Sequence, residues 1–451
     1  MKSIQKKYDA LIIGFGKGGK TLAAFMAKQG WQVAVIERSA LMYGGTCINI
    51  ACIPTKSLVH SAENHVPYAD AIAEKNRLVE SLRKRNFDMV DQFPNATVIT
   101  GTASFLSPGT VSVRLADSGE EVTIAADRII INTGAKPVLP SIPGLNASRR
   151  VFTSTTLMEE TKLPERLVII GAGYIALEFA GMYAQFGSEV TLLSRSATFL
   201  PDEDRDIADA VQSILIAKGI RIELGALVDE LVPGGDTDTI VYRQAETRTE
   251  IKATAILIAA GRQPNTEDLN LEAAGVRQDS KGYIVVDERL QTSTPNIWAI
   301  GDINGGPQFT YISLDDFRII RSQLFDFKPH STADRIQVAG ALFITPPLSH
   351  VGLREHEAIG KGYRVKVATL PASTSTRAQL LNRPEGIFKA VVDADTNLIL
   401  GCTLLCSDSS ELINLVQLAM HAGLDYTVLR DTIYTHPSMS ESLNDLFAKI
   451  G

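Results

Sequence analysis

Cysteine is scarce, with four in 451 residues. A small scaffold held together by disulfides needs a far higher density, so that class is excluded. Long apolar runs are also missing. No stretch reaches the roughly 18 uncharged apolar residues of a membrane-spanning helix, and the best candidate, from Leu167 onward, meets Glu178 too soon. Positive charge is not in excess. The 44 Lys and Arg are outnumbered by 51 Asp and Glu, and a net charge of −7 gives no pull toward nucleic acid or an anionic membrane. Lys2, Lys6 and Lys7 precede an apolar run, as in a signal peptide. That run is only Ala10 to Gly16, however, and Lys17 and Lys20 follow, so the expected compartment is the cytoplasm. What remains is a chain that is 45% hydrophobic and 21% charged, which excludes global disorder and leaves room for two to four packed domains.

Residues 8–13 read as a short buried strand. Gly14-Phe15-Gly16-Lys17-Gly18-Gly19 follows and fits G-x-G-x-x-G. A helix is expected from Lys20 to Gln29, then a strand from Trp31 to Ile36 closed by Glu37. Gly14 permits the tight turn, Gly16 lets backbone approach a pyrophosphate, and Gly19 lets helix and strand pack closely. The helix start offers N–H groups to phosphates, and Glu37 can accept hydrogen bonds from ribose hydroxyls.

The pattern returns. Leu167 to Ile170 reads as a strand, followed by Gly171-Ala172-Gly173-Tyr174-Ile175-Ala176, a helix to about Phe186, Gly187, and a strand from Val190 to Leu193. Gly30 follows Gly19 by the same interval that separates Gly187 from Ala176. Two dinucleotide folds in one chain point to a flavin plus a nicotinamide. The copies differ at one telling place: Ser194 stands at the position of Glu37, and Arg195 follows it. An acid there favours the free 2′-hydroxyl of NAD, whereas Arg accommodates the 2′-phosphate of NADP. NADPH is therefore the expected donor, with NADH as the alternative.

Residues 44–56 read GGTCINIACIPTK. In a regular helix Cys47 and Cys52 would point about 140° apart, a poor arrangement for a disulfide. If they pair, the backbone between them must be irregular. Pro54 suits a helix beginning near Ile53, and a helix start would stabilise a thiolate at Cys52.

This segment closely resembles the active site of the flavoprotein disulfide reductases, which include glutathione reductase, dihydrolipoamide dehydrogenase and mercuric reductase. The resemblance continues through Ile131 to Ala135, Gly171 to Glu178, Ala260 to Thr266, Thr294 to Asp302, and His436-Pro437 with Glu441. It implies an α/β fold: two Rossmann-like domains, for FAD and NAD(P), and a C-terminal α+β interface domain. The expected order is FAD-binding 1–150, NAD(P)-binding 151–268, FAD-binding again 269–332, and interface 333–451. An insertion around 60–128 would carry a helix and small strands.

By the same resemblance Cys52 is the thiolate against the flavin and Cys47 the interchange thiol. Lys56 and Glu178 form an ion pair beside the flavin, and Tyr174 is a gate displaced by the nicotinamide. Gly14, Gly16, Gly19, Glu37, Thr46, Thr133, Gly134 and Asp302 line the FAD site. Gly171, Gly173, Ala176, Ser194, Arg195 and Gly261 line the nucleotide site. His436, oriented by Glu441, shuttles protons across a homodimer interface. Cys402 and Cys406 lie on one face of an expected strand and read as packing residues. His60 and His65, five apart on a helix, do not stack on one face, and no metal site is expected there.

Met42 to Gly45, Phe309 to Asp316 and His436 to Leu446 look most like the reactive-chlorine-resistance flavoprotein branch, associated with oxidant defence and reduction of metal ions such as copper(II). Asp315 and Asp316 are unusual so near the expected flavin helix. Three readings stay open: a reductase of metal ions or oxidised species, a reductase of a small disulfide (glutathione-like, coenzyme A-like or lipoamide), and a flavin-bearing redox sensor.

Overall fold

The structure is a computed structural model that describes residue 4 and residues 6–451; Lys2 lies outside the described residues. The chain forms two compact units. The first comprises the chain up to Ser57, Ile72–Val138 and Gly261–Arg335; the second comprises Leu58–Ala71, Leu139–Ala260 and Ile336–Gly451.

In the first unit, strand Lys7–Ile13 runs parallel to Val33–Glu37 on one side and to Glu121–Ile131 on the other. Ala96–Ser107 and Ile297–Ala299 extend this parallel sheet at its two ends. Ala10, Leu11 and Ile12 have no exposure, as expected for a strand covered on both faces. Helices Lys17–Lys28 and Thr310–Leu324 contribute Leu22, Met26, Phe317 and Ile320 to one shared core. The first helix begins three residues earlier than its sequence pattern indicates, within the glycine loop itself, because Gly18 and Gly19 are small enough to be buried in its first turn.

The strands expected in an insertion turn out to be continuous with the main sheet. Ala96–Ser107 pairs in parallel with Val33–Glu37 through its first half, then antiparallel with Thr110–Leu115 through its second. Glu121–Ile131 makes the opposite transition. The hairpin is thus an outgrowth of two long central strands.

The second unit holds the repeat. Strands Arg221–Leu224, Glu189–Ser194, Arg166–Ile170, Ala255–Ile258 and Val151–Phe152 form a parallel sheet. The two copies agree bond for bond. Gly14 N donates to Ile36 O at 2.7 Å, and Gly171 N donates to Leu193 O at 2.9 Å. A Cβ on Gly14 would stand 2.3 Å from Asn132 O, and one on Gly171 would stand 2.4 Å from Ala259 O. Each glycine is required because a crossing strand lies against it. The unit also contains a five-stranded antiparallel sheet, in the order Gly340–Leu342, Leu348–Gly352, Ile399–Leu405, Ile387–Asp393, Val365–Pro371. Helices Ser409–His421, Tyr426–Asp431 and Ser442–Ala448 accompany it. Cys402 and Cys406 lie buried in its core, where burial pushes both thiols well above the ordinary range. The sheet and its helices make an α+β arrangement.

Candidate active site

Asn132 organises the first glycine loop. Its Oδ1 accepts from Gly19 N at 3.0 Å, while its Nδ2 donates to Ile300 O at 2.7 Å. A Cβ on Gly16 would meet that same Oδ1 at 2.5 Å. Gly18 N donates to Ser313 Oγ at 3.0 Å, which ties the loop to helix Thr310–Leu324. Glu37 closes the strand, buried, accepting from Phe15 N at 3.1 Å and Ser39 N at 3.3 Å.

The redox segment packs directly onto this loop. Gly44 and Gly45 both take positive φ, and Gly45 starts the short helix Gly45–Asn49. That helix ends at Ile50, whose φ of −141° is not helical, and a second helix, Cys52–Glu63, begins at the cysteine itself. This break is the irregularity that a close approach of the two cysteines demands. The two thiols hydrogen-bond one another, and no disulfide joins them. The bond from Cys47 is the main cause that lowers Cys52 to about 6; burial opposes it, and Thr310 and the charge of Lys56 assist. Cys47 moves the other way: as donor to Cys52, and buried, it holds its proton far above the ordinary thiol range. Thr310 Oγ1 stands 3.6 Å from Cys52 Sγ.

Lys20 is a further cation nearby. It is 2% exposed and bonded to Asn86. Burial, then the charge of Lys17, lower it to about 8, while the charge of Cys47 acts in the opposite sense.

The residues expected at a flavin site gather in this unit. Thr133 Oγ1 donates to Asn265 O at 2.9 Å, and Asn265 N donates to Gly134 O at 2.9 Å. Thr46 Oγ1 faces Gly134 across 3.8 Å, measured to where a Cβ would stand. Asp302 lies in the turn Gly301–Asn304, its carboxyl pushed up by burial and partly relieved by Arg262. Gly261 has a φ of 115° and open space beside it. A glycine-rich loop at a helix start, an acid at the strand end and the half-buried carboxyl of Asp302 fit a flavin dinucleotide.

The Asp315–Asp316 pair has a local cause. Asp316 is fully buried, accepts from Gly301 N at 2.6 Å, and is bonded by Arg335. Asp315 accepts from Arg335 Nε at 2.7 Å and contacts His330 Nε2 at 3.0 Å. The pair thus braces the turn that carries Asp302.

In the second unit, Gly173 has open space beside it, and Tyr174 begins helix Tyr174–Phe186. Ala176 is buried in that first turn. Glu178, also buried, accepts from Phe343 N at 3.0 Å. Ser194 turns its hydroxyl to Ser196 O at 3.3 Å, and Arg195 is exposed. His436 Nδ1 lies 2.8 Å from Glu441 Oε1, and the other carboxylate oxygen accepts from Ser438 N at 2.8 Å. The imidazole is 70% exposed.

Asn132, Thr310, Lys20 and Glu203, which binds Tyr174, were not found by sequence reasoning. Thr310 and Asn132 stood inside quoted motifs, so their neighbours marked the place although not the role.

A parallel-sheet dinucleotide fold present twice, with a hydrogen-bonded thiol pair on helices seated against the first glycine loop, defines a pyridine nucleotide–disulfide oxidoreductase. Residues 8–316 match the family model of the pyridine nucleotide-disulphide oxidoreductases, and residues 338–447 match that family's dimerisation domain. The chain belongs to this family and is an oxidoreductase with FAD and a nicotinamide nucleotide as its cofactors. It is 49% identical over 444 residues to the probable pyridine nucleotide-disulfide oxidoreductase RclA of Escherichia coli, covering 98% of this chain and 99% of that protein. It is 34% identical to the mercuric reductase of Lysinibacillus sphaericus, covering 97% of this chain and 82% of the relative. Its structure matches that of a Cu(II) complex of the HOCl-induced flavoprotein disulfide reductase RclA from E. coli. There the TM-score is 0.96 and the identity 48%, over 99% of this chain and all (100%) of that one. Among the described residues no helix is long and apolar enough to cross a membrane.

Proposed function

We propose that this chain takes electrons from NADPH and delivers them through the Cys47–Cys52 pair to a soft metal ion such as copper(II), or to another oxidised species, in defence against oxidants. The observation that carries this reading is the hydrogen-bonded thiol pair on the helices seated against the first dinucleotide loop. The likeness to a protein described as HOCl-induced and solved with Cu(II) supports the choice of acceptor.

FAD, when bound, supplies the passage from a two-electron hydride donor to sulfur. The chain's residues do the rest. Glu37 takes the adenosine ribose, the first turn of Lys17–Lys28 the pyrophosphate, and Thr46, Thr133, Gly134 and Asp302 the remainder of the flavin. The charge of Lys56 supports the Cys52 thiolate. Gly171, Gly173, Ala176 and Gly261 seat the nicotinamide nucleotide, Tyr174 yields to it, and Arg195 meets the 2′-phosphate beside an uncharged Ser194.

With copper(II), the reduced pair gives one electron to each of two ions. The Cys47–Cys52 disulfide forms, the one proton held by Cys47 leaves, and two copper(I) ions result; thiolate ligands favour that soft product. A small disulfide as acceptor is the second reading, favoured by the high pKa of Cys47. That thiol needs a base before it can attack, and the His436–Glu441 dyad is one, with His436 of the partner subunit serving the site. Cys47 sulfur bonds to one substrate sulfur and releases the first thiol. Cys52 thiolate then attacks Cys47 and releases the second. The exposed imidazole, with Ile433 98% exposed three residues before it, supports an outward-facing surface for a second copy.

Anaerobic NADPH oxidation with copper(II) or a panel of disulfides as sole acceptor tests the reading. Fast turnover with copper(II) and none with disulfides is expected. Fast turnover with one disulfide alone overturns the metal assignment. Turnover that survives Cys47→Ala with every acceptor overturns the dithiol mechanism.

A further inference from the structure

Tyr174 is not held by its own helix. Its hydroxyl donates to Glu203 Oε1 at 3.2 Å, 29 residues along the chain. Glu203 is 4% exposed and precedes helix Arg205–Ala217. A buried carboxylate needs a matching cation, and Arg354 supplies one in fork geometry. Nε donates to Oε2 at 2.8 Å and Nη2 to Oε1 at 2.6 Å. Arg354 is fixed in turn: its backbone N donates to Glu357 Oε2 at 2.8 Å, and its Nη1 lies 3.7 Å from Glu357 Oε1. Oε1 of Glu203 therefore serves two donors, one immobile and one on a half-exposed ring.

We infer that Glu203, locked by Arg354, is a positioning residue that tethers Tyr174, so that a nicotinamide nucleotide entering beside Gly173 must break the Tyr174–Glu203 hydrogen bond to bind. The inference rests on the reading of Tyr174 as the group the nucleotide displaces. Its parts suit the role. The phenol is pushed up to about 12 by burial and by the Glu203 charge, so the hydroxyl remains a donor. Burial pushes the Glu203 carboxyl up, but the Arg354 hydrogen bonds and charge more than reverse this, so it remains an anion. The backbone beside the tethered residue is open, with nothing within 4 Å of where a Cβ on Gly173 would stand. The tether also reaches from the dinucleotide fold to the segment after strand Leu348–Gly352, which makes nucleotide affinity sensitive to how those two parts are held together.

Calorimetric binding of NADP⁺ to the FAD-loaded enzyme, together with KM and kcat for NADPH, tests this. Tyr174→Phe keeps the ring, removes the tether and leaves the Glu203–Arg354 pair in place. It is expected to tighten NADP⁺ by about tenfold, the scale of one hydrogen bond to a charged group, and to lower KM in step. Glu203→Gln is expected to act in the same direction alone and to add nothing in the Tyr174→Phe background. An unchanged dissociation constant in Tyr174→Phe overturns the tether. So does a Glu203→Gln effect of equal size with and without the hydroxyl, since that effect would be structural. Tyr174→Ala separates the two levels: NADP⁺ binding unchanged by loss of the whole ring would overturn the gate reading itself.

Discussion

Gly45 and Gly16 meet backbone to backbone: a Cβ on Gly45 would stand 2.6 Å from the Gly16 Cα. The helix that carries Cys47 is therefore seated on the loop that the fold dedicates to a pyrophosphate. No side chain separates the start of that helix from the dinucleotide cradle.

Gly45→Ala is expected to lower both stability and flavin content, because it combines a positive φ of 75° with a backbone clash. Gly30→Ala is the control. Its φ of 89° is as unfavourable, but nothing lies within 4 Å, so the cost should stop at about 1–2 kcal/mol of backbone strain. Thermal melts and the flavin-to-protein absorbance ratio distinguish them. Equal flavin content in the two variants contradicts the packing argument.

Cys52, lowered to about 6 chiefly by the Cys47 thiol, should be a thiolate at neutral pH. An unfolded thiol titrates near 8.5. The stabilisation from this depression is thus fully present above that value and fades as pH falls through about 6. Alkylation of the reduced enzyme, mapped by mass spectrometry across pH, should show Cys52 reacting down to about pH 6. In Cys47→Ala the profile should move upward, toward the ordinary thiol value. A profile indifferent to Cys47 would mean the two sulfurs do not share a proton.

Arg195→Glu, alone or with Ser194→Glu, should reverse the nucleotide preference. Loss of one cation and gain of a carboxylate beside the 2′-phosphate should cut kcat/KM for NADPH by about tenfold or more, equivalent to at least ~1.4 kcal/mol. NADH should suffer little. If the NADPH-to-NADH ratio holds steady, Arg195 is only a solvated surface charge.

Co-expression of Cys47→Ala and His436→Ala chains tests the shared site. Each variant alone should be poor in disulfide turnover, the second by about 10²-fold or more, the scale of a lost acid–base group. If His436 of the partner subunit serves Cys47, a mixed dimer rebuilds one complete site and turnover returns. If the histidine serves its own chain, mixing restores nothing.

The chemistry was legible wherever it rests on local constraints. A turn that only glycine can make, an acid or a serine at a strand end, and two cysteines flanking a broken helix each declare themselves within a dozen residues. The double fold was therefore readable from local pattern, and the family from the resemblance of its motifs. Helix and strand limits were less so, since burial of Gly18 and Gly19 in a first turn depends on Ser313 from far along the chain.

What only the tertiary structure decided is who holds whom. Asn132 fills the space that three loop glycines vacate, Thr310 stands by Cys52 from 258 residues away, and Arg354 locks Glu203 across 151. Polar side chains carry no periodicity or spacing that names a distant partner. Their pairing is set by desolvation: a buried carboxylate or amide must find its donor, and only the folded chain shows which one it found. The sequence alone determined that this chain moves electrons between a nucleotide and sulfur. The fold decided that a helix break at Ile50 lies between the two cysteines and that Glu203, held by Arg354, accepts the Tyr174 hydroxyl.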